Sequence, residues 1–436
     1  MKLHDLLEID FALFISSVVL TAFGILFIYS SGVSSTGALV SNEYVKQIIW
    51  AVVGVIAALL IALLNYKRIY HIAIYLYIAS LVLLLYTILL GRVVHGASAW
   101  IGVGSFGIQP SEFAKITTIV LLAQYLDMTK HTANYFTRFF ISCMIVFVPM
   151  VLILIQPDFG TSLVFIPILL VMAFVADVEK RYIIFLIVTI AGTSILMVLP
   201  LWQNYILHRT LPLLIIFSDK RFVIAISLAM LLIFAIAVYG FTRYKKKYFY
   251  WIAYGSLIIS FSILLSYAAR SFLKPYQIMR LIVFLSPEID PRGSGWNIIQ
   301  SVTAIGSGGF LGKGYIQGTQ SHYRFLPQQS TDFIFSIFSE EWGFLGGILV
   351  FGMFLLICMR FIKIMKTTAD AFGVYIVGGL SGMFIFHFII NVGMTMGIMP
   401  ITGIPLLFMS YGGSSLISAM IGIGLALSVH LRRFHY

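Results

Sequence analysis

A single aspartate stands where a long loop re-enters an apolar run of this 436-residue chain. Asp332 is followed directly by Phe333 and Ile334, so its carboxylate lies at a predicted boundary between membrane and water. Partial desolvation at such a boundary raises the pKa of a carboxyl group and allows it to accept a proton, which makes Asp332 a candidate general base. The same position also suits the N-cap of a helix that begins at Phe333. Residue type and position leave both interpretations open.

Two oppositely charged residues lie at the start of another apolar run. Glu112 and Lys115 are three residues apart, which places them on one face of a helix where they can pair. A charge at membrane depth costs about 2.5 to 3.5 kcal/mol even on the lenient insertion scale, so each needs a partner or a task. The pair is therefore either a structural ion pair or part of a binding site. Glu340 and Glu341 follow Asp332 by about two helical turns, and one of them is predicted to face the interior.

Polar residues also lie at the ends of other apolar runs. Asp158 belongs to the turn 156–162, where it either caps the next helix or contacts a substrate. Ser414 belongs to a run of small residues whose glycines favour close packing of helices. Asn391 adds a neutral polar group near the end of a neighbouring run. We expect these residues on the same side of the membrane as Asp332.

A glycine-rich segment, residues 305–314, lies within the long loop and includes Lys313. It does not meet the GxxxxGK[ST] spacing of a nucleotide phosphate-binding loop, and glycine rather than serine or threonine follows the lysine. Backbone amides freed by the glycines, with Lys313 nearby, can still hold a pyrophosphate. A flexible turn is the alternative interpretation.

Apolar runs of about 20 residues recur from end to end, and each is long enough to cross a bilayer as a helix. The chain is 60% hydrophobic and only 10% charged, whereas a soluble domain carries about 25% charge, so water is not its main solvent. We predict an all-α, polytopic integral membrane protein, a single domain over residues 1–436 with about twelve transmembrane helices. These helices are predicted near residues 11–31, 46–65, 70–90, 112–127, 137–155, 160–178, 181–201, 222–242, 250–270, 333–358, 372–392 and 407–430.

Lysine and arginine residues cluster in every second turn between these runs, for example at 67–68, 180–181 and 243–247. Short loops rich in Lys and Arg belong on the cytoplasmic side, so both termini are predicted to be cytoplasmic. The long loop 271–332 then faces outward and is expected to carry the active site. The formal net charge of +12 reflects this topology and not a nucleic-acid partner, because the basic residues form short, scattered clusters.

Several motifs occur in the order and spacing of one family of membrane proteins. They are Pro287-Glu288-Ile289-Asp290-Pro291, Gly318-Thr319-Gln320-Ser321, Phe325-Leu326-Pro327 and Thr331-Asp332-Phe333, together with Gln109-Pro110-Ser111-Glu112 and Lys115. On these residues the chain resembles the SEDS proteins along nearly its whole length, except for about 203–268. The motif Gly318-Thr319-Gln320 is similar to that of the elongation branch of the family rather than the division branch.

The resemblance implies a cation-dependent, inverting peptidoglycan glycosyltransferase in the bacterial cytoplasmic membrane, with an extracytoplasmic active site. It implies as substrates lipid II and the growing lipid-linked glycan, joined by β-1,4 bonds, and Mg²⁺ or Mn²⁺ as the cation. The family's essential aspartate corresponds to Asp332, as general base, metal ligand or both. Implied partners are a class B penicillin-binding protein and other membrane proteins of the elongation complex. The residues expected to bind substrate or its pyrophosphate are Glu112, Lys115, Asp158, Arg280, Lys313, Gln320, Arg324 and Ser414.

The chain departs from the family pattern at three positions: Gln328 where Glu is usual, Ser330 where His is often found, and Ala99 where Arg is common. The segment 203–268 is predicted to add two spans to the family's usual ten. Two other classes of function remain open, namely a flippase or other transporter of lipid-linked precursors and a scaffold that only holds a cell-wall transpeptidase. A division or sporulation member of the family is a further alternative.

Overall fold

The apolar runs form helices, as seen in a computed structural model that describes residues 10–94, 97–103, 106–207, 219–273, 275–291 and 293–433. The helices are α1 (Phe11–Gly32), α2 (Glu43–Leu63), α3 (Tyr66–Leu90), α4 (Pro110–Met128), α5 (Tyr135–Ile155), α6 (Phe159–Leu163), α7 (Phe165–Val175), α8 (Lys180–Trp202), α9 (Lys220–Tyr244), α10 (Lys247–Phe272), α11 (Pro275–Leu285), α12 (Ser294–Ser307), α13 (Thr319–His322), α14 (Ile334–Thr367), α15 (Ala371–Thr395) and α16 (Gly413–Leu431). The strands are β1 (Arg92–Val94), β2 (Ala97–Val103) and β3 (Phe106–Ile108).

The prediction of a helical membrane protein is confirmed. Within the described ranges, ten helices are long and apolar enough to cross a membrane. Each of the twelve predicted runs coincides with helix, but a count of twelve spans is not confirmed. The helix α4 carries three ionisable residues, and the run Phe159–Val175 is shorter than a full span and is divided into α6 and α7.

The chain divides into two compact units. The first unit comprises Met1–Val178 and Gln300–Tyr436, and the second comprises Glu179–Ile299. The second unit contains the whole segment 203–268, whose described residues form a π-helical turn (Gln203–Leu207) and the helical hairpin of α9 and α10. Residues 208–218 of that segment lie outside the described part of the chain.

Small residues let α2 and α16 of the first unit approach closely. A Cβ on Gly424 would lie 2.6 Å from the carbonyl oxygen of Ala58. A Cβ on Gly413 would lie 2.5 Å from the ring of Trp50. Because no larger side chain fits at these contacts, the packing role predicted for glycines near Ser414 is confirmed.

The predicted loops contain regular structure. In the long loop 271–332 the helices α11, α12 and α13 alternate with turns. The connection between α3 and α4 is a three-stranded antiparallel sheet in the order β1-β2-β3, which the apolar pattern does not predict. Ala99, one of the departures from the family pattern, is fully buried in β2.

Candidate active site at the loop–helix junction

The backbone around Asp332 is a tight turn that precedes α14. Gln328 adopts a left-handed conformation with φ +54°, and its carbonyl oxygen accepts the amide of Asp332 at 3.1 Å. The same carbonyl accepts the amide of Thr331 at 3.3 Å. The N-cap position of α14 is Phe333, one residue later than predicted, and it makes no side-chain hydrogen bond. The side chain of Asp332 is half-buried.

Two neighbouring segments hold this turn in place. The side-chain amide of Asn391 on α15 donates to the carbonyl of Asp332 at 3.0 Å and to the carbonyl of Ile404 at 2.8 Å. The amide of Tyr411 donates to the carbonyl of Ser330 at 2.8 Å. Because Ser330 contributes its backbone to this contact, the absence of the family's usual histidine leaves the bond intact. The position of the Asp332 backbone is therefore fixed by α15 and by the segment between α15 and α16.

Glu112 and Lys115 form the predicted ion pair on α4. The Lys115 Nζ lies 2.9 Å from Glu112 Oε2, and the exposed fractions of the two residues are 0% for Lys115 and 2% for Glu112. Glu112 also accepts the hydroxyl of Ser418 at 3.2 Å. The predicted ion pair is thus confirmed, and its contact with substrate stays a prediction.

A buried histidine that the sequence analysis missed completes this cluster. His387 on α15 is 1% exposed, and its Nε2 lies 3.1 Å from the Lys115 Nζ. Its Nδ1 lies 3.0 Å from the carbonyl oxygen of Pro405, which can only accept. Nδ1 is therefore assigned as the donor to Pro405, and Nε2 accepts a hydrogen bond from the ammonium group of Lys115. A lone histidine inside the apolar run 372–392 was the available signal.

Asp158 both caps α6 and ties it to α4. Its Oδ1 accepts the amide of Thr161 at 3.1 Å, and its Oδ2 accepts the side-chain amide of Gln109 at 2.7 Å. The Gln109 backbone amide in turn donates to Ser414 Oγ at 2.9 Å. Burial raises the pKa of the Asp158 carboxyl, and the bonds from Thr161 lower it by less. The capping role is confirmed, whereas substrate contact by Asp158 or Ser414 remains a prediction.

The buried ion pair and Asp332 are linked through one segment of backbone. Lys115 contacts His387, which contacts the carbonyl of Pro405. The adjacent carbonyl of Ile404 accepts from Asn391, which also donates to the carbonyl of Asp332. The first unit therefore contains a continuous set of polar contacts from the interior of α4 to the start of α14.

Glu340 organises the loop on the N-terminal side of Asp332. It is 0% exposed and accepts from Lys313 Nζ at 2.7 Å, from Thr319 Oγ1 at 3.0 Å and from the amide of Gln320 at 3.0 Å. Glu341 is also fully buried, so both of these glutamates face the interior, not one as predicted. Lys313 is therefore paired in this structure, and its predicted role in pyrophosphate binding remains a prediction.

The glycine segment completes the hydrogen bonding of a broken helix. Gly343 interrupts α14 with φ +62°, so the amides and carbonyls on either side cannot pair with each other as they would in a continuous helix. The glycine segment supplies the missing partners: the amides of Lys313 and Gly314 donate to the carbonyls of Glu340 and Glu341, each at 3.0 Å.

The same exchange occurs in the opposite direction. The amides of Phe344 and Leu345 donate to the carbonyls of Gly309 and Phe310 at 2.9 and 3.2 Å. A Cβ on Gly343 would lie 2.3 Å from the amide nitrogen of Gly312, so this contact requires glycine. The amides at 313 and 314 are consequently not free to hold a pyrophosphate, and the flexible-turn interpretation does not describe this part of the segment.

The remaining predicted residues differ in exposure. Arg324 is exposed, and no carboxylate of the described residues lies within 4.0 Å of it. The side-chain oxygen of Gln320 is buried and has no hydrogen-bond partner within the described ranges. Arg280 belongs to the second unit, where its guanidinium lies 5.8 Å from the ring centroid of Tyr276. The described residues contain no group of three or more His, Cys, Asp or Glu side chains that could hold a metal ion.

The fold and this site define a multi-pass helical membrane protein with a half-buried carboxylate at the junction of a loop and a spanning helix. A family model described as "Cell cycle protein", which covers FtsW, RodA and SpoVE, matches residues 11–221 and 210–435. The chain belongs to this family, the SEDS proteins.

The chain is similar to individual members over its whole length. It is 48% identical over 433 residues to "Peptidoglycan glycosyltransferase RodA" of Treponema pallidum, covering 99% of this chain and 100% of that protein. It is 31% identical over 426 residues to "Stage V sporulation protein E" of Bacillus subtilis, covering 96% of each. A chain solved in a study of a peptidoglycan synthase complex that coordinates polymerization and crosslinking matches with a TM-score of 0.67 and 24% identity, covering 98% of this chain and 99% of that one. This last likeness shows the fold.

Proposed function

We propose that the protein is a peptidoglycan glycosyltransferase of cell elongation, which polymerises lipid II into β-1,4-linked glycan strands. The observation that carries the proposal is the 48% identity to the RodA of Treponema pallidum over the full length of both chains. Identity to the sporulation protein of Bacillus subtilis is 31%, which favours the elongation branch over the sporulation branch. The preserved motif Gly318-Thr319-Gln320 supports the same assignment.

In the proposed mechanism, Asp332 takes the proton from the 4-hydroxyl of the GlcNAc of one lipid II. That oxygen attacks the anomeric carbon of the growing strand, and undecaprenyl pyrophosphate leaves from the opposite face, so that a single inversion gives a β-1,4 bond. The half-buried carboxylate of Asp332 supports this role because partial desolvation favours proton acceptance. The bonds from Asn391 and Tyr411 hold the backbone of this region, which keeps the base in a defined position.

The departing pyrophosphate needs positive charge, which the proposal assigns to Mg²⁺ or Mn²⁺ and to basic residues of the loop. Mg²⁺ typically binds through one or two carboxylates together with substrate phosphates. Asp332 can supply one such carboxylate, and the described residues contain no larger cluster of metal-binding side chains. When bound there, the cation would neutralise charge on the pyrophosphate. Arg324 is the loop cation best suited to contact the substrate, because it is exposed whereas Lys313 is paired with Glu340.

The proposal places the protein in the bacterial cytoplasmic membrane, with both termini cytoplasmic and the site around Asp332 outside. The alternation of basic turns along the sequence supports this orientation. A class B penicillin-binding protein is the proposed partner, because the structural relative was studied within a complex that couples polymerization to crosslinking. Other membrane proteins of the elongation complex are proposed as further partners.

The test is glycan synthesis by the purified protein with its cognate penicillin-binding protein, lipid II and Mg²⁺ or Mn²⁺. We expect the wild type to polymerise lipid II and Asp332→Asn to lose polymerisation, because asparagine keeps the size of the side chain but is neither a base nor an anionic ligand. Glu288→Gln is the matched control, since it neutralises an exposed carboxylate of the same long loop and should retain activity.

The rival functions predict different outcomes for polymerisation, lipid transport and cell shape. Equal polymer from wild type and Asp332→Asn would contradict the role of Asp332 as base or metal ligand. Transport of labelled lipid without polymer formation would support the flippase, and normal cell shape in a strain carrying Asp332→Ala would support the scaffold.

A further inference from the structure

Three consecutive lysines form the turn of the helical hairpin in the second unit. Lys245 ends α9 in a left-handed conformation with φ +52°, Lys246 is the N-cap of α10, and Lys247 is its first residue. Arg243 lies in the last turn of α9. All four side chains are exposed. A connection of two residues between two spanning helices must lie at a membrane surface, so the four positive charges are concentrated there.

Exposed aromatic side chains surround these lysines. Tyr244, Tyr248 and Trp251 are 63%, 52% and 63% exposed. The ring of Phe249 lies 4.3 Å from that of Tyr248, and it rests against Gly240 of α9, where a Cβ would lie 2.6 Å from the ring. Tyr244, Tyr248 and Trp251 are therefore exposed on the surface of a closely packed hairpin. Aromatic residues of this kind are enriched at the boundary between headgroups and acyl chains.

No carboxylate of the hairpin neutralises the basic cluster. The sequence from Lys220 to Phe272 contains no Asp or Glu. The neighbouring helix α8, which packs on α10, adds an exposed Lys180, and its Arg181 is already paired with Glu179. The described residues place no carboxylate within 4.0 Å of Lys245, Lys246 or Lys247.

We propose that this turn, residues 243–251, is a binding site for the headgroups of anionic phospholipids. Exposed ammonium groups without internal counter-ions attract the headgroup phosphate, and the aromatic side chains beside them occupy the level of the glycerol backbone. The aromatic residues on lipid-facing helices favour a lipid over a soluble phosphate. This inference is independent of the proposed glycosyltransferase activity, and it gives the segment 203–268 a role of its own.

Tryptophan fluorescence tests the proposal, because Trp251 lies one turn from Lys247. The full-length protein is placed in nanodiscs with equal parts of anionic phosphatidylglycerol and zwitterionic phosphatidylcholine, with bromine on the acyl chains of one lipid or the other. The signal of Trp251 is isolated by subtracting that of Trp251→Phe. We expect brominated phosphatidylglycerol to quench this signal about fivefold more than brominated phosphatidylcholine. This ratio is the preference for anionic lipid that roughly one lysine at the membrane surface provides.

Two variants make the experiment specific. The quadruple variant Arg243→Gln, Lys245→Gln, Lys246→Gln and Lys247→Gln should lose the preference and remain quenched equally by both lipids, which also shows that the hairpin is still in the membrane. The control Lys363→Gln with Lys366→Gln, at the exposed end of α14, should keep it. Equal quenching of the wild type, a preference that persists in the quadruple variant, or a loss in the control would each overturn the proposal.

Discussion

Replacing Lys115 with methionine removes a buried charge while it keeps most of the side-chain volume. The carboxylate of Glu112, 2% exposed, then keeps only the hydroxyl of Ser418 at 3.2 Å as a donor among the contacts described above. Removing one partner of a buried ion pair costs about 3–5 kcal/mol, because the other charge is left uncompensated. His387 Nε2 also loses its donor, which adds about 1 kcal/mol. We therefore expect Lys115→Met to lower the free energy of unfolding by about 4–6 kcal/mol.

The double variant Glu112→Gln with Lys115→Met identifies the cause. Because it removes both charges, it should be more stable than Lys115→Met alone by about 2 kcal/mol or more. Unfolding free energies are measured by titrating the detergent-solubilised protein with sodium dodecyl sulfate and following helix content by circular dichroism. A loss of less than about 1 kcal/mol in Lys115→Met, or a double variant as unstable as the single one, would refute the uncompensated-charge argument. If the stable double variant lacks polymerase activity, the pair also serves the substrate.

Three further predictions concern the loop and its anchors. Glu340→Gln should cost about 2–3 kcal/mol and speed hydrogen exchange of residues 313–321, because the neutral amide loses the ion pair with Lys313 and its NH2 group cannot accept from the amide of Ser321. Asn391→Leu leaves the carbonyls of Asp332 and Ile404 without this donor, so kcat for polymerisation should fall at least about tenfold with little change in KM. Asp158→Asn tests pH dependence. Because the pKa of Asp158 in the folded chain is raised above the ordinary 3.8, the wild type loses the stability contributed by this carboxyl as pH rises through the raised pKa. The variant has no carboxyl at this position and does not lose it. The melting temperature of the wild type relative to the variant should therefore fall with rising pH.

Each of these has an outcome that would count against it. Unchanged hydrogen exchange in Glu340→Gln would mean that the loop is held by its other contacts. A proportional rise in KM for Asn391→Leu would indicate lost substrate binding and not a displaced base. A difference in melting temperature between wild type and Asp158→Asn that does not vary with pH would show that the carboxyl titrates alike in the folded and unfolded chain.

The helices could be predicted from the sequence, because apolar runs of membrane length leave few alternatives to helix. The Glu112–Lys115 pair was predictable for a similar reason, since a spacing of three residues fixes proximity on a helix. The contact between Lys115 and His387 was not predictable, because the two residues are 272 positions apart and no periodicity links them. The start of α14 was predictable only to within one residue, because the helix begins at Ile334 and not at Phe333.

The broken helix α14 has a consequence for the order in which the chain acquires its structure. Residues 309–314 of the glycine segment precede α14 in the chain, yet they make hydrogen bonds to the backbone on both sides of Gly343. During synthesis this segment emerges first and has no partners until the following helix has been made and inserted. A chain truncated before α14 would therefore lack these hydrogen bonds, however completely the glycine segment itself had been translated.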